Sequence, residues 1–323
     1  MICNKSWQGR FVSGRATALM LLGVSLLMWL VGILFDAPVS ELHLFGLSMG
    51  NVVSRCITFA CFALATAMMS SWYVFDHRIR WFLSLFFCLP SLSLFLHGCV
   101  EYSISLLFLL LTIHRLFACK QDEDCRYGLF SAFSLFGLAT MLFPQFITLL
   151  PVLVCYMLMT SLASGKTFFS IMLGLLTPYW FLFGIDYIFP NVLKQSGFFV
   201  APFTYLTSAM TEFISLTGVA FLVVSILVFI PFIVLFSSSA SPGKPLLRKR
   251  LLFFALLNIY LVALSLLYSQ DSSLYYIWSL PALAVMLTYI FSLKITRFSK
   301  CYFIIINLVW LAMVPFSLWL RLL

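Results

Sequence analysis

The chain has 323 residues, of which 63% are hydrophobic and only 9% are charged, and its formal net charge is +9. Soluble domains carry about 25% charged residues, so this composition excludes an ordinary soluble fold. The basic residues stand mostly singly between apolar runs, which disfavours nucleic acid as a partner and favours membrane lipids. The sequence therefore predicts an all-α, polytopic bundle of transmembrane helices.

Eleven apolar runs are candidate spans, because a membrane-spanning helix needs about 20 apolar residues. In chain order they are Ala16–Phe35, Val52–Tyr73, Trp81–Leu96, Tyr102–Phe117, Tyr127–Phe143, Phe146–Leu162, Phe168–Phe189, Phe213–Phe236, Leu251–Tyr268, Tyr275–Leu293 and Tyr302–Leu320. The first run is longer than the apolar core of a signal peptide, and no A-x-A cleavage pattern follows it. We therefore expect it to be retained. The fifth and sixth runs form a predicted hairpin that turns at Pro144 and Gln145.

The distribution of Lys and Arg predicts the orientation of the bundle, because cytoplasmic loops are enriched in both. With the N-terminus in the cytoplasm, 16 of the 19 basic residues fall on that side and only Arg55, Lys194 and Arg321 fall outside. The cytoplasmic set is Lys5, Arg10, Arg15, Arg78, Arg80, Arg115, Lys120, Arg126, Lys166, Lys244, Arg248, Lys249, Arg250, Lys294, Arg297 and Lys300. The chain is thus predicted to be a multi-pass membrane protein with its N-terminus in the cytoplasm and its C-terminus outside.

A Ser-, Pro- and Gly-containing segment, residues 237–250, interrupts the apolar runs and ends in a basic cluster. It is predicted to be a cytoplasmic linker beside the anionic inner leaflet. The linker would separate a main bundle of about eight spans, residues 1–236, from a three-span unit, residues 251–323.

The sequence lacks the HExxH, GxSxG and P-loop motifs of several enzyme classes. The four His are scattered, and the nine Cys form no CxxC pair, so we expect no metal and no cofactor. Most of the Cys lie inside apolar runs and are interpreted as small hydrophobic residues.

Charged residues predicted on the outer side are the candidates for a functional site. Asp36 and Glu41 flank the start of the first outer loop, and Arg55 enters the second span just beyond it. A carboxylate can take the proton of an acceptor hydroxyl as a general base, and Arg55 or Lys194 can hold a lipid phosphate. This combination predicts Asp36 and Glu41 as catalytic residues. The predicted substrate-binding residues are Arg55, Lys194, Asp186, His97 and Glu101.

Simpler interpretations of the same residues remain open. Asp36 and Glu41 are also typical of solvated loops, and Arg55 at a helix end is typical of a snorkelling anchor. Glu101 follows His97 by four residues and can pair with it on one helical face. Asp186 lies in the last turn of an apolar span, where an acidic residue is either functional or in contact with interfacial water.

Two segments, Thr112–Leu158 and the following SGKTFFSIMLGLLTPYWFLFGI, resemble an uncharacterised family of polytopic inner-membrane proteins from Bacteroidetes. This resemblance implies a location in a bacterial inner (plasma) membrane and a multi-pass topology, and it implies no particular activity.

The same segment more loosely resembles the polyprenol-phosphate-dependent membrane glycosyltransferases. The resemblance rests on a basic loop, a Gly-containing helix, a Pro-containing break and a second short loop, here Arg126, Gly128, Gly137, Pro144, Pro151 and Lys166. It implies a catalytic acid in the first outer loop, which by position is Asp36 or Glu41. Four residues separate these two acids, whereas in that family the pair is adjacent or nearly so.

Two classes of function follow. In the first, a glycosyltransferase-like protein acts on polyprenyl-phosphate-linked sugar at the outer face of the membrane. In the second, the protein is a non-enzymatic scaffold or assembly partner in an envelope complex. A small-solute transporter is a weaker member of the second class, because ionisable residues are nearly absent from the middle of the runs.

Overall fold

The computed structural model of the chain describes residues 43–44, 47–48, 51–71, 100–119, 125–188, 216–238, 245–292 and 297–322. Within these residues nine α-helices account for most of the structure. They are α1 (Asn51–Ser71), α2 (Val100–Ala118), α3 (Cys125–Leu142), α4 (Leu150–Thr160), α5 (Gly165–Ile188), α6 (Leu216–Ser238), α7 (Pro245–Leu267), α8 (Ser272–Ser292) and α9 (Arg297–Leu322). Two-residue strands β1 (His43–Leu44) and β2 (Leu47–Ser48) pair antiparallel before α1.

Six of the described helices, α2, α3, α5, α6, α7 and α8, are long and apolar enough to cross a bilayer. The prediction of a helical bundle with several candidate membrane spans is thereby confirmed. Each described helix overlaps one of the predicted runs, whereas the runs Ala16–Phe35 and Trp81–Leu96 lie outside the described residues. The total of eleven spans stays a prediction.

Proline and a left-handed residue fix the boundaries around α4. Phe143 is extended, with φ −130° and ψ 94°, and Pro144 then opens a 3₁₀ helix, Pro144–Leu149, that continues into α4. Proline suits this position because the first N–H groups of a helix have no intrahelical partner. Ser161 ends α4 in the left-handed conformation, with φ 58°. The break between α3 and α4 therefore lies where the sequence predicted it.

Helix α7 begins at Pro245, six residues before the predicted span at Leu251. Proline again opens the helix, so Arg248, Lys249 and Arg250 belong to its first two turns rather than to the linker.

Two glycines bring α3 and α5 into backbone contact. A Cβ atom on Gly174 would lie 2.6 Å from the carbonyl oxygen of Phe130, and one on Gly137 would lie 2.7 Å from that of Leu175. Small residues allow such close approach of membrane helices. Further along the crossing, the Tyr179 hydroxyl lies 2.9 Å from Oγ1 of Thr140. Along these three contacts the residue numbers increase in the same direction in both helices, so α3 and α5 run parallel.

Helix α8 is the centre of the bundle, since all but three of its 21 residues are buried. It packs on α2, α6, α7 and α9, and its start meets the end of α7, where the Tyr268 and Tyr275 rings lie 6.1 Å apart. The Phe221 ring of α6 lies 5.6 Å from the Tyr276 ring, and Phe232 lies 5.6 Å from Tyr289. Helices α6 and α8 are therefore parallel.

Two hydrogen bonds between polar side chains cross from helix to helix inside this core. Trp278 of α8 donates from Nε1 to Oγ of Ser105 in α2 at 2.9 Å. Asn258 of α7, which is 1% exposed, accepts a hydrogen bond of 3.5 Å from Ser225 of α6. Since a single apolar cluster extends from Ala65 to Trp310, helices on both sides of residues 237–250 share one core.

The contacts also place the helix ends. Ile57 of α1 packs against Val100 at the start of α2, so these two helices start together and Ser71 and Val100 lie at opposite ends of the pair. Cys119, directly after α2, packs against Gly128 near the start of α3. Arg250, near the start of α7, bonds to Phe117 near the end of α2. The described helices therefore share two common ends.

Candidate functional site

Three of the seven predicted site residues lie in the part of the chain that the structure describes. These are Arg55, Glu101 and Asp186, while Asp36, Glu41, His97 and Lys194 lie outside it. The paired strands β1 and β2 begin two residues after Glu41 and lead to the start of α1. The predicted catalytic pair therefore precedes the described part of the site in sequence.

Arg55 and Glu101 occupy the same end of the bundle. Arg55 is the fifth residue of α1 and Glu101 is the second residue of α2, and the contact of Ile57 with Val100 brings these two helix starts together. Glu101 is exposed. As an anion in the first turn, it interacts favourably with the partial positive charge of the helix N-terminus.

Asp186 lies at this end as well. It is half-buried and occupies the last turn of α5, as the sequence predicted. Since α5 is parallel to α3 and α3 starts beside the end of α2, the last turn of α5 lies with the first turn of α2. Asp271, in the 3₁₀ turn between α7 and α8, shares this end. We call the end defined by Glu101, Asp186 and Asp271 the acidic end.

The opposite end carries most of the bases. Among the described residues, the basic end is defined by Arg115, Arg126, Lys166, Arg248, Lys249, Arg250, Arg297 and Lys300. Each lies near the end of α2 or near the start of α3, α5, α7 or α9. Every one belongs to the set that the sequence predicts to be cytoplasmic, and all three described acids lie away from it.

Arg250 is the most embedded cation of the basic end. Its Nη2 donates to the carbonyl oxygen of Phe117 at 2.6 Å, and its guanidinium lies 5.0 Å from the centroid of the Phe117 ring. It also bonds to the Tyr156 hydroxyl, while its Nε is buried without a hydrogen-bond partner. A cation is favourable at a helix C-terminus, so Arg250 caps α2 and joins it to α4 and α7. Sequence reasoning placed Arg250 only in a linker.

The second feature that sequence reasoning missed is a pair of thiols. Cys119 and Cys125 lie close enough to interact electrostatically, and Cys119 donates a hydrogen bond of 3.3 Å to the Arg115 carbonyl. Burial raises the pKa of Cys119 to about 12, because the charged thiolate is disfavoured in an apolar environment. The sequence signal that could have revealed this pair is two Cys on either side of a five-residue polar segment between two apolar runs.

No group of three or more His, Cys, Asp and Glu side chains comes together among the described residues in a way that suits a metal ion. The described part of the acidic end instead offers carboxylates together with Arg55, and such groups can act on protons and on anionic groups.

Comparison with protein-family models, with curated proteins and with solved structures finds no match for this chain.

Proposed function

We propose that the basic end of the bundle faces the cytoplasm of a bacterial cell and that the acidic end faces outward, with eleven spans in the inner membrane. The separation of eight described bases from three described acids supports this orientation. The opposite placement of Ser71 and Val100 supports the predicted span between them, because the chain has to return from one end to the other.

We further propose that the acidic end is the site of glycosyl transfer from polyprenyl-phosphate-linked sugar. The observation that supports this most directly is the common location of Arg55, Glu101 and Asp186 at one end. An arginine and carboxylates at the same end of a bundle, at the level of lipid headgroups, combine a phosphate-binding group with proton acceptors.

In the proposed reaction, Asp36 or Glu41 takes the proton of the acceptor hydroxyl as its oxygen attacks the anomeric carbon of the donor sugar. The bond from that carbon to the phosphate oxygen breaks, and its electron pair leaves with polyprenyl phosphate. Arg55 and Lys194 hold the phosphate as its negative charge increases. Glu101, Asp186 and His97 line the substrate side of the site.

The test is glycan profiling of the cell envelope in a strain that depends on this gene for a detectable glycan. We expect Asp36→Ala together with Glu41→Ala to abolish the glycan while the protein stays in the membrane at its normal level. Arg55→Gln is expected to weaken donor binding and to reduce the glycan as well.

The matched control is Asp122→Ala together with Glu123→Ala, which removes two carboxylates from the predicted cytoplasmic side. This control should leave the glycan unchanged. An unchanged glycan in the Asp36 and Glu41 double variant would reject the catalytic assignment.

A scaffold is the second candidate, and the exposed face of α5 favours it. Only Thr167, Gly174 and Leu182 of this 24-residue helix are buried, while Phe169, Trp180 and Tyr187 are 69%, 79% and 91% exposed. A broad aromatic face suits the packing of another membrane helix. A scaffold predicts that Trp180→Ala abolishes co-purification of a membrane partner, whereas the Asp36 and Glu41 variants are silent.

A transporter is disfavoured by the positions of the charges. In the described helices, Asp, Glu, Lys and Arg occur only within the first or last two turns. Charged side chains in the middle of a span typically mark ion and substrate pathways.

A further inference from the structure

Cys119 and Cys125 flank the five residues that link α2 to α3. Cys119 directly follows α2, and Cys125 is the first residue of α3. Their thiols lie close enough to interact electrostatically. Cys119 also donates to the carbonyl oxygen of Arg115 in the last turn of α2. The two Cys are therefore positioned by the adjoining ends of α2 and α3.

Gly128 makes room for this arrangement. A Cβ atom at position 128 would lie 2.6 Å from Sγ of Cys119, which is well inside van der Waals contact. Residues three apart share one face of a helix, so Cys125 and Gly128 lie on the same face of α3. Cys119 thus fits against that face only because residue 128 has no side chain.

We propose that Cys119 and Cys125 are an oxidative modification site, at which the two thiols close into an intramolecular disulfide by exchange with a low-molecular-weight disulfide. The ionised sulfur of one Cys attacks the small disulfide and releases one small thiol. The sulfur of the second Cys then attacks the resulting mixed disulfide and releases the second small thiol. The two protons of the cysteines end on the two released thiols, and the two cysteines are oxidised as the small disulfide is reduced.

Closing the disulfide brings the two sulfur atoms to about 2.05 Å from one another. It starts from a state in which Cys119 already packs against the face of α3 that carries Cys125. On closure Cys119 gives up its bond to Arg115. The product ties the end of α2 covalently to the start of α3 at the basic end.

The dithiol is the resting form of this site. The thiolate is the attacking species in exchange, and burial keeps Cys119 protonated, with its pKa at about 12. Disulfides in reducing compartments are usually transient and redox-sensing, which matches a pair that reacts only when small disulfides accumulate. The site is independent of the glycosyl-transfer proposal.

The experiment uses the full chain in isolated membranes, treated with oxidised glutathione and then blocked with a maleimide. Trypsin cuts after Arg115, Lys120 and Arg126, so Cys119 leaves in the peptide LFACK and Cys125 in QDEDCR. We expect the two peptides to appear joined in the wild type, with the loss of two maleimide-reactive thiols per chain. The variants Cys119→Ser and Cys125→Ser should each give no joined peptide and carry glutathione on the remaining thiol.

Gly128→Ala tests the geometry without removing a sulfur. The added methyl group displaces Cys119, so the joined peptide should form more slowly than in the wild type. The control is Gly165→Ala, because a Cβ atom there meets nothing within 4 Å, and it should react like the wild type. The proposal is overturned if wild-type membranes yield no joined peptide, if glutathione stays on both cysteines, or if Gly165→Ala slows the reaction as much as Gly128→Ala.

Discussion

Trp278 joins α8 to α2 inside the core through the N–H group of its indole ring. Its ring is fully buried in α8 and lies 4.9 Å from the Phe146 ring, while Nε1 bonds to Ser105 in α2. A buried indole N–H needs a partner, because burying an unsatisfied donor costs about 1–3 kcal/mol. Ser105 itself donates to the Tyr102 carbonyl, so both polar atoms are satisfied.

We expect Trp278→Phe to destabilise the protein by about 1 kcal/mol for the lost hydrogen bond, with a further cost of about 1–3 kcal/mol if the smaller ring leaves a cavity. The measurement is thermal unfolding of the detergent-solubilised protein. Trp180→Phe is the control, because Trp180 is 79% exposed. Equal melting shifts in the two variants would contradict the assigned role of Trp278.

The close approach of α3 and α5 depends on glycine residues, which have no side chain. The contact between α3 and α5 depends on Gly137 and Gly174, each of which meets a backbone carbonyl of the other helix. A backbone atom cannot rotate away as a side-chain end does, so a larger residue has to move a whole helix. The Thr140–Tyr179 contact lies on the same crossing and would be lost with it.

Gly174→Ala is therefore expected to destabilise the protein, by about 1–3 kcal/mol if it behaves as an overpacked core position. Gly184→Ala, in the same helix, should instead be neutral or stabilising by up to about 1 kcal/mol, because a Cβ atom there meets nothing within 4 Å. Melting temperatures of the two variants in one detergent provide the measurement. A Gly174→Ala protein as stable as Gly184→Ala would show that the two helices are not in backbone contact.

The helices themselves could be predicted from the sequence, because apolar runs and prolines act locally. The break at Phe143 and Pro144 and the location of Asp186 in a last turn both follow from such local rules. The start of α7 at Pro245 could not be predicted in this way, because a basic cluster after Ser, Pro and Gly is typical of a linker. Only the contact of Arg250 with Phe117 shows that the cluster belongs to a packed helix. Contacts such as Cys119 with Gly128 depend on which helices are neighbours, and no periodicity in one helix encodes that.

At the scale of the whole molecule, the charged residues that the structure describes are separated along the bundle. The bases that the sequence predicts on one side of the membrane also lie at one end of the described bundle. The two agree because the prediction and the structure have the same alternating helix directions. The sequence could also predict that Arg55, Glu101 and Asp186 share an end. It could not give the depth of each side chain or its neighbours, which depend on packing between helices far apart in the chain.

The proposed orientation predicts which positions react from outside an intact cell. In a background without native cysteines, Asp271→Cys should react with a membrane-impermeant maleimide added to cells whose outer membrane has been permeabilised. Lys166→Cys should react only after the inner membrane is opened. Both positions adjoin the ends of candidate spans, so they form a matched pair. The reverse pattern would place the basic end outside and reject the orientation.

The burial of α8 has a consequence for the order in which the protein is built. Ser105 and Trp278 are 173 residues apart in the chain, and synthesis proceeds at about 5–20 residues per second. Ser105 therefore leaves the ribosome roughly 10 to 30 seconds before its partner exists. Ser105 has a second partner in the Tyr102 carbonyl, three residues back in the same helix, and this partner is made before Trp278. The core around α8 can therefore close only after residues 272–292 have been synthesised.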